Sequence, residues 1–224
     1  MPGPHPSAFL ARLPDEGAAT LRASAHPRRF SRGETLFFEG DDAREVLVLT
    51  SGQVKIWITA PNGREVILAV FDPDELLGEL SAIDGTPRSA SATAISDVEV
   101  LALSLHDFAA LVDEHPKIAN ALLHTVAARL RETSQRQLEF GTADALGRLA
   151  RCILTLTDRY GRDSDAGRRL RIPLVQQELA AWTGLSREAV VKGLQAMRAL
   201  GWVQSAGRQL TVLDDGALRA RATG

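Results

Sequence analysis

The 224-residue chain has a single cysteine, Cys152, so it can form no internal disulfide, and no cysteine cluster is present to hold zinc or an iron–sulfur centre. Cys152 reads as inert core. No apolar run reaches 18 residues, which excludes a membrane-spanning helix. The opening "MPGPHPSAFLARLPDEG" lacks both the basic start and the apolar stretch of a secretory signal, so a cytoplasmic protein without a membrane partner is expected. The histidines, at 5, 26, 106, 115 and 124, have no ligand spacing, and none lies between Arg29 and Ser104. A metal site is therefore not expected, which disfavours a metal-dependent jelly-roll enzyme. Neither an internal repeat nor a low-complexity tract is present.

What the chain does contain is an uneven charge. Residues 1–140 carry 13 Lys and Arg against 20 Asp and Glu, a balance of −7, whereas residues 141–224 carry 13 against 8, a balance of +5. A basic C-terminal third on an acidic remainder suits a nucleic-acid module, although uneven surface charge alone would also produce it. The length suits two domains.

From Arg29 to Ala102 the runs "TLFFEG", "EVLVLTSGQVKIWIT", "EVILAVF", "ASATAI" and "VEVLALS" alternate with breaks such as "GDD", "PNG" and "DGTP", predicting an all-β sandwich or roll. Asn62-Gly63 is the clearest hairpin signal. Within this region "GELSAIDGTPRSASA" places Glu79 after the turn-forming Gly78 and an Arg, Arg88, among small residues. A guanidinium aimed into a sheet interior needs an anionic partner.

A long helix is predicted from Pro116 to Phe140. Ala119, Leu123, Val126, Leu130, Thr133, Gln137 and Phe140 recur at intervals of three and four, the seam of a short coiled coil and hence of a homodimer. The alternative is a helix packed on its own domain. At Thr133, with Ser134 beside it, the seam turns polar, either to set register or to meet a polar ligand.

A further helix at about Leu146 to Tyr160 leads through the loop "GRDSDAG" to "QQELAAWTGLSREAVVKGLQAM". Here a short helix ends near Thr183, Gly184 turns the chain, and Ser186 caps a second helix, which makes a helix-turn-helix. At 100° per residue Val190, Leu194 and Met197 face the core, while Glu188, Lys192 and Gln195, flanked by Arg187, face outward. These residue types read major-groove base edges. "GWVQSAGRQLTVLD" adds a two-stranded wing whose Arg208 is placed for a phosphate. A helical hairpin with a solvated charged face is the plainer alternative.

The order of roll, long helix and winged helix-turn-helix, with "GEL...PRSASA", "RETS" and "SREAVVK", resembles the Crp/Fnr family of bacterial transcription regulators, nearest its cyclic AMP receptor branch. The resemblance covers about Arg29 to Asp214. It implies an α+β protein with a cyclic-nucleotide-binding β-roll (1–115), a dimerisation helix and hinge (116–143, the hinge near 140–143) and a winged helix-turn-helix (144–224). It implies a cyclic AMP pocket in which Gly78 lets backbone approach, Glu79 accepts from the ribose 2'-hydroxyl, and Arg88 and Ser89 grip the phosphate. Leu80, Ile56, Leu68 and Phe71 would stand around the ligand, although the last three alone read as ordinary core. Thr133 would meet the adenine edge from the same subunit and Ser134 from the partner subunit. Arg187 and Glu188 would read bases in half-sites resembling TGTGA.

Two departures stand out. Lys192 replaces an Arg, and Val175 replaces a hydroxyl residue at the start of the first helix, leaving Gln176 to take a phosphate contact. The expected function is a cyclic AMP-responsive, DNA-binding regulator, not an enzyme, with DNA, a second copy and RNA polymerase as partners. The rivals are a same-fold regulator with another ligand or none, and a cyclic-nucleotide-binding subunit of an enzyme complex.

Overall fold

The computed structural model describes residues 7–142, 144–165, 167–170, 176–206 and 209–223, without the side chains at 136, 138–142, 159 and 206. Val175, Gly207, Arg208 and Ala143 lie outside the described residues, as does the Phe140 side chain. The chain forms two compact units, residues 1–133 and 134–224, described in turn.

In the first unit a 3-10 turn (Leu10–Arg12) and α1 (Asp15–Ser24) precede β1 (His26–Phe30), β2 (Thr35–Phe37), β3 (Glu45–Ser51), β4 (Val54–Thr59), β5 (Glu65–Phe71) and β6 (Leu76–Leu77). Then come α2 (Glu79–Asp84), β7 (Ser91–Ala94), β8 (Val98–Ser104), α3 (Leu105–Glu114) and α4 (Pro116–Thr142). The strands form two four-stranded antiparallel sheets, ordered β1-β8-β3-β6 and β2-β7-β4-β5. This is the roll expected from the alternating pattern.

The run "EVLVL" reads as continuous apolar sequence because β3 is buried on both faces. Leu47 and Leu49 join Phe30, Val54, Ala92, Val98 and Val100 between the sheets, while Val46 and Val48 meet Leu21, Phe108, Leu111, Ile118 and Leu122 of the helices. One strand thus ties the roll to α1, α3 and the start of α4. Asn62-Gly63 forms the β4–β5 hairpin: Gly63 has φ +77°, and its N–H donates to the Ala60 carbonyl at 2.8 Å.

The turn from β5 to β6 is held by a buried carboxylate. Glu75 accepts from the Asp72 N–H at 2.7 Å and from the Ser7 hydroxyl, and the Asp74 carbonyl takes the N–H groups of Phe9 and Leu10. The N-terminal segment is thereby fixed to the turn that leads through β6 to Gly78. Sequence pattern left β1, β6 and α2 unassigned; each is five or six residues or fewer, too short to carry a periodicity of its own.

In the second unit α5 (Ala145–Tyr160) is capped by Asp144, whose carboxylate accepts from the Gly147 N–H at 2.8 Å and pairs with Arg221. The backbone bond and the Arg221 charge hold that carboxyl below its ordinary value. The expected "GRDSDAG" loop is instead a hairpin, β9 (Gly161–Ser164) and β10 (Gly167–Leu170). α6 (Gln176–Thr183), α7 (Arg187–Ala199), β11 (Val203–Ala206), β12 (Gln209–Val212) and α8 (Asp215–Thr223) complete the unit, with strand order β11-β12-β10-β9. Cys152 is buried in α5. Among the described residues no helix is long and apolar enough to cross a membrane, and no group of three potential metal ligands is present.

Candidate ligand pocket and candidate DNA-reading surface

Gly78 ends β6 and caps α2 with φ +78°, the left-handed region that glycine enters without a steric penalty. A Cβ there would lie 1.9 Å from Arg88 Nη1. The missing side chain therefore makes room for the guanidinium as well as for the turn. Close backbone approach by a ligand, the role the resemblance implies for Gly78, is compatible with this packing.

Arg88 follows α2 by a short loop and is 5% exposed. Its Nη1 donates to the Gly78 carbonyl at 3.0 Å and its Nη2 to the Glu45 carbonyl at 2.5 Å, while the guanidinium carbon lies 4.3 Å from the centre of the Phe37 ring. Backbone bonds from the Arg88 N–H to Asp41 and from Gly40 N–H to the Arg88 carbonyl hold the residue in place. Burial pulls its pKa below the ordinary value, and the charges of Glu45, Glu79 and Asp41 oppose that shift. An arginine starts so far above neutrality that it stays charged.

Glu79, 4% exposed, pairs through Oε1 with Arg129 of α4. Arg129 also donates from Nη2 to the Leu76 carbonyl at 2.6 Å and stacks 4.1 Å from the centre of the Phe71 ring, while its buried Nε has no hydrogen-bond partner. Arg88 and Arg129 thus both lie near buried Glu79, with Glu45, engaged by Arg28, and Asp41 also acting on Arg88. The orphaned Arg129 Nε, and an Arg88 guanidinium hydrogen-bonded to neutral carbonyl oxygens, fit an anionic, hydrogen-bonding ligand such as a cyclic nucleotide.

Sequence reading missed Arg129 as well as Phe37. A signal was present: a carboxylate buried in a roll needs a cation, and Arg129 lies one helical turn before Thr133. Ile56 and Phe71 are half-buried against the inter-sheet core. Leu68 is not core: the β4–β5 ladder shifts between Ile56 and Trp57, making Leu68 the extra residue of a bulge, exposed like Leu80. Ser89, Thr133 and Ser134 are exposed.

Gly78→Ala should lower the stability of the first unit by about 1–3 kcal/mol and abolish cyclic-nucleotide binding, since it adds both left-handed strain and an overlap with Arg88. Thermal melting and calorimetry on the purified variant measure both effects. A variant that melts and binds like the parent chain would remove Gly78 from the site.

In the second unit the turn is as the sequence predicts. Gly184 has φ +66°, the Ser186 hydroxyl accepts from the Ala189 N–H at 3.1 Å, and Val190, Leu194 and Met197 are buried. Arg187, Glu188, Lys192 and Gln195 are exposed along α7, and Gln176 is exposed as the first residue of α6. Gly193, which sequence reading passed over, lets α7 approach α5: a Cβ there would lie 2.6 Å from Leu149 Cδ2. The wing follows as β11 and β12, and Arg198 Nη1 donates to Ser205 Oγ at 3.0 Å, tying the end of α7 to it. The proposed phosphate residue Arg208 lies outside the described residues.

A roll carrying a buried arginine–carboxylate cluster, followed by a winged helix-turn-helix, defines a cyclic-nucleotide-binding class of DNA-binding regulator. Residues 27–115 match the cyclic nucleotide-binding domain family and residues 147–221 the Crp-like helix-turn-helix domain family. The chain is 34% identical over 91% of its length to the CRP-like cAMP-activated global transcriptional regulator of Mycobacterium tuberculosis, 91% of which is covered. It is 36% identical over 88% of its length to the cyclic AMP receptor protein of Thermus thermophilus, 87% of which is covered. The fold is also that of the c-di-GMP responsive global regulator CLP of Xanthomonas campestris, with a TM-score of 0.82 at 23% identity, over 89% of this chain and 99% of that one. The chain belongs to the Crp/Fnr family of transcription regulators, whose members are not enzymes.

Proposed function

We propose that the chain is a homodimeric, cytoplasmic regulator that binds cyclic AMP in its roll and, so loaded, a pseudo-palindromic DNA site. The observation that carries this reading is the pair of buried guanidinium sites, Arg88 held on the Gly78 and Glu45 carbonyls and Arg129 paired with buried Glu79, beside a helix whose Leu123 and Leu130 are 69% and 67% exposed. Arg88 and Ser89 hold the cyclic phosphate. Glu79, its Oε1 already paired with Arg129, accepts the ribose hydroxyl at Oε2. Gly78, Leu80, Ile56, Leu68 and Phe71 shape the wall, and Thr133 with the partner's Ser134 meets the purine edge. The exposed leucines are covered by the second copy.

Ligand favours the DNA-binding arrangement only to the extent of its differential affinity for the two states. In that arrangement the two recognition helices enter successive major grooves about one turn apart, roughly 10–10.5 base pairs. Arg187 reads a guanine and Glu188 a cytosine amine, with Lys192 and Gln195 beside them, Ser186 as the cap, and Gln176 and Arg208 on phosphates. RNA polymerase is the partner through which such a complex acts.

Selection of DNA from a random pool, with and without cyclic AMP, tests the whole reading. The expected result is a two-fold symmetric site with TGTGA-like halves, enriched only when the nucleotide is present. Enrichment without nucleotide, or with cyclic di-GMP alone, would remove cyclic AMP from the proposal. On the selected site Arg187→Ala should cost about 1–3 kcal/mol and relax preference at one position per half-site. Unchanged base preference would mean that α7 does not read that position through Arg187.

A further inference from the structure

We propose that the cavity between the N-terminal segment and the start of α4 is a second ligand site, for a small phosphomonoester that carries an apolar group. The cavity has a volume of about 610 Å³; Arg12, Lys117, Asn120 and His124 supply its polar lining, and Pro14 and Ala121 are among its apolar residues. That volume, and an apolar wall with a few polar groups, are those of sites for small organic ligands. The cavity shares no residue with the pocket around Arg88, Glu79 and Arg129.

The charge of the lining sets the class of ligand. Among the described residues around the cavity none is acidic, although residues 1–140 carry 20 Asp and Glu against 13 Lys and Arg. Asp15, Glu16 and Glu114 are close in sequence but do not line it. Among the described residues Lys117, Asn120 and His124 have no ion pair and no side-chain hydrogen bond. All three are exposed, and their spacing of three and four puts them in one row on α4. An ammonium, an amide and an imidazole N–H along one wall, with a guanidinium on the other, are donors for the oxygens of an anion. A phosphomonoester at neutral pH carries about −1.5 to −2 charges on three acceptor oxygens, which suits two fixed cations. A carboxylate, with one charge and two oxygens, suits them less.

Both walls are held by the fold. The Asp74 carbonyl accepts from the N–H groups of Phe9 at 2.7 Å and Leu10 at 2.9 Å, and the Leu13 N–H donates to the Leu10 carbonyl at 3.1 Å. A Cβ on Gly17 would lie 3.5 Å from Pro14 Cδ and 3.6 Å from Ile118 Cγ1, so the start of α1 packs directly on α4. Ala121 is buried in the same core as Ile118. At 100° per residue the seam residues Ala119, Leu123, Val126 and Leu130 cluster on one side of α4, and the row of Lys117, Asn120 and His124 centres roughly 120° away. The dimer proposed above therefore uses a different face of the helix.

Calorimetry on the full chain in phosphate-free buffer tests the site, with phenyl phosphate as the probe and inorganic phosphate, benzoate and benzyl alcohol as comparators. Each is titrated with and without excess cyclic AMP. Phenyl phosphate should bind most tightly of the four, and excess cyclic AMP should leave that binding in place. K117A/H124A should weaken it by roughly tenfold or more, and so should N120E, which sets a carboxylate in the cavity. All three positions are exposed on a helix, so both variants should melt with the parent chain. Unchanged binding in either variant would overturn the proposal. So would loss of binding on adding cyclic AMP, which would put the probe in the roll, or no binding by the folded parent chain. Inorganic phosphate binding as tightly as phenyl phosphate would overturn the choice of ligand. Because the two variants locate the site without nucleotide, the result does not depend on whether the roll binds cyclic AMP.

Discussion

Arg88→Leu should reduce cyclic AMP affinity by at least about 2 kcal/mol, roughly 30-fold, because it removes the charged partner of a buried phosphate while leaving much of the side-chain volume. The guanidinium also holds the carbonyls of Gly78 and Glu45, so the variant loses two further hydrogen bonds and should melt at a lower temperature. Arg88→Lys separates the two effects. It keeps a charge for the phosphate but cannot reach both carbonyls in the planar geometry that arginine provides, so it should bind more weakly than the parent chain and better than the leucine variant. Calorimetry on all three proteins measures the order. Binding by Arg88→Leu within about threefold of the parent chain would put the phosphate elsewhere.

Glu79→Ala should destabilise the first unit by about 3–5 kcal/mol before any ligand is added, since it strands the Arg129 guanidinium inside the roll. Arg129 would keep only its bond to the Leu76 carbonyl and its contact with Phe71. Adding Arg129→Met to the alanine variant should restore much of the loss, because an apolar side chain of similar length replaces an uncompensated charge. Urea denaturation of the two single variants and the double variant closes the cycle. Additive losses would mean that the pair is not coupled. The restored double variant should still fail to bind cyclic AMP, since both the ribose acceptor and the second guanidinium are gone.

The C-terminal motif was legible because every one of its signals is local. Gly184 must turn the chain at positive φ, Ser186 must satisfy an N–H of the following helix, and Val190, Leu194 and Met197 fall on one side at helical spacing. None of these depends on distant residues. The hairpin at Gly161–Leu170 was not legible for the opposite reason. Its Gly- and Asp-rich sequence looks like a loop, and its pairing is fixed by β12 across the sheet, from residues 40 or so positions later.

By itself the sequence determined the order of roll, long helix and winged helix-turn-helix, because alternation with period two, a three-four spacing and turn chemistry are written residue by residue. It also singled out Arg88 as a group in need of a partner, and Glu79 beside it as a ligand residue by resemblance. Only the tertiary structure decided which partners they have. Arg129 arrives 50 positions after Glu79 on a different element, and the Glu45 carbonyl lies 43 positions before Arg88 on another. A buried charge requires an opposite charge or a carbonyl within hydrogen-bond distance, but that requirement does not name the residue. The packing of α4 against the β3 face of the roll names it, by bringing Arg129 over Phe71 and up to Glu79.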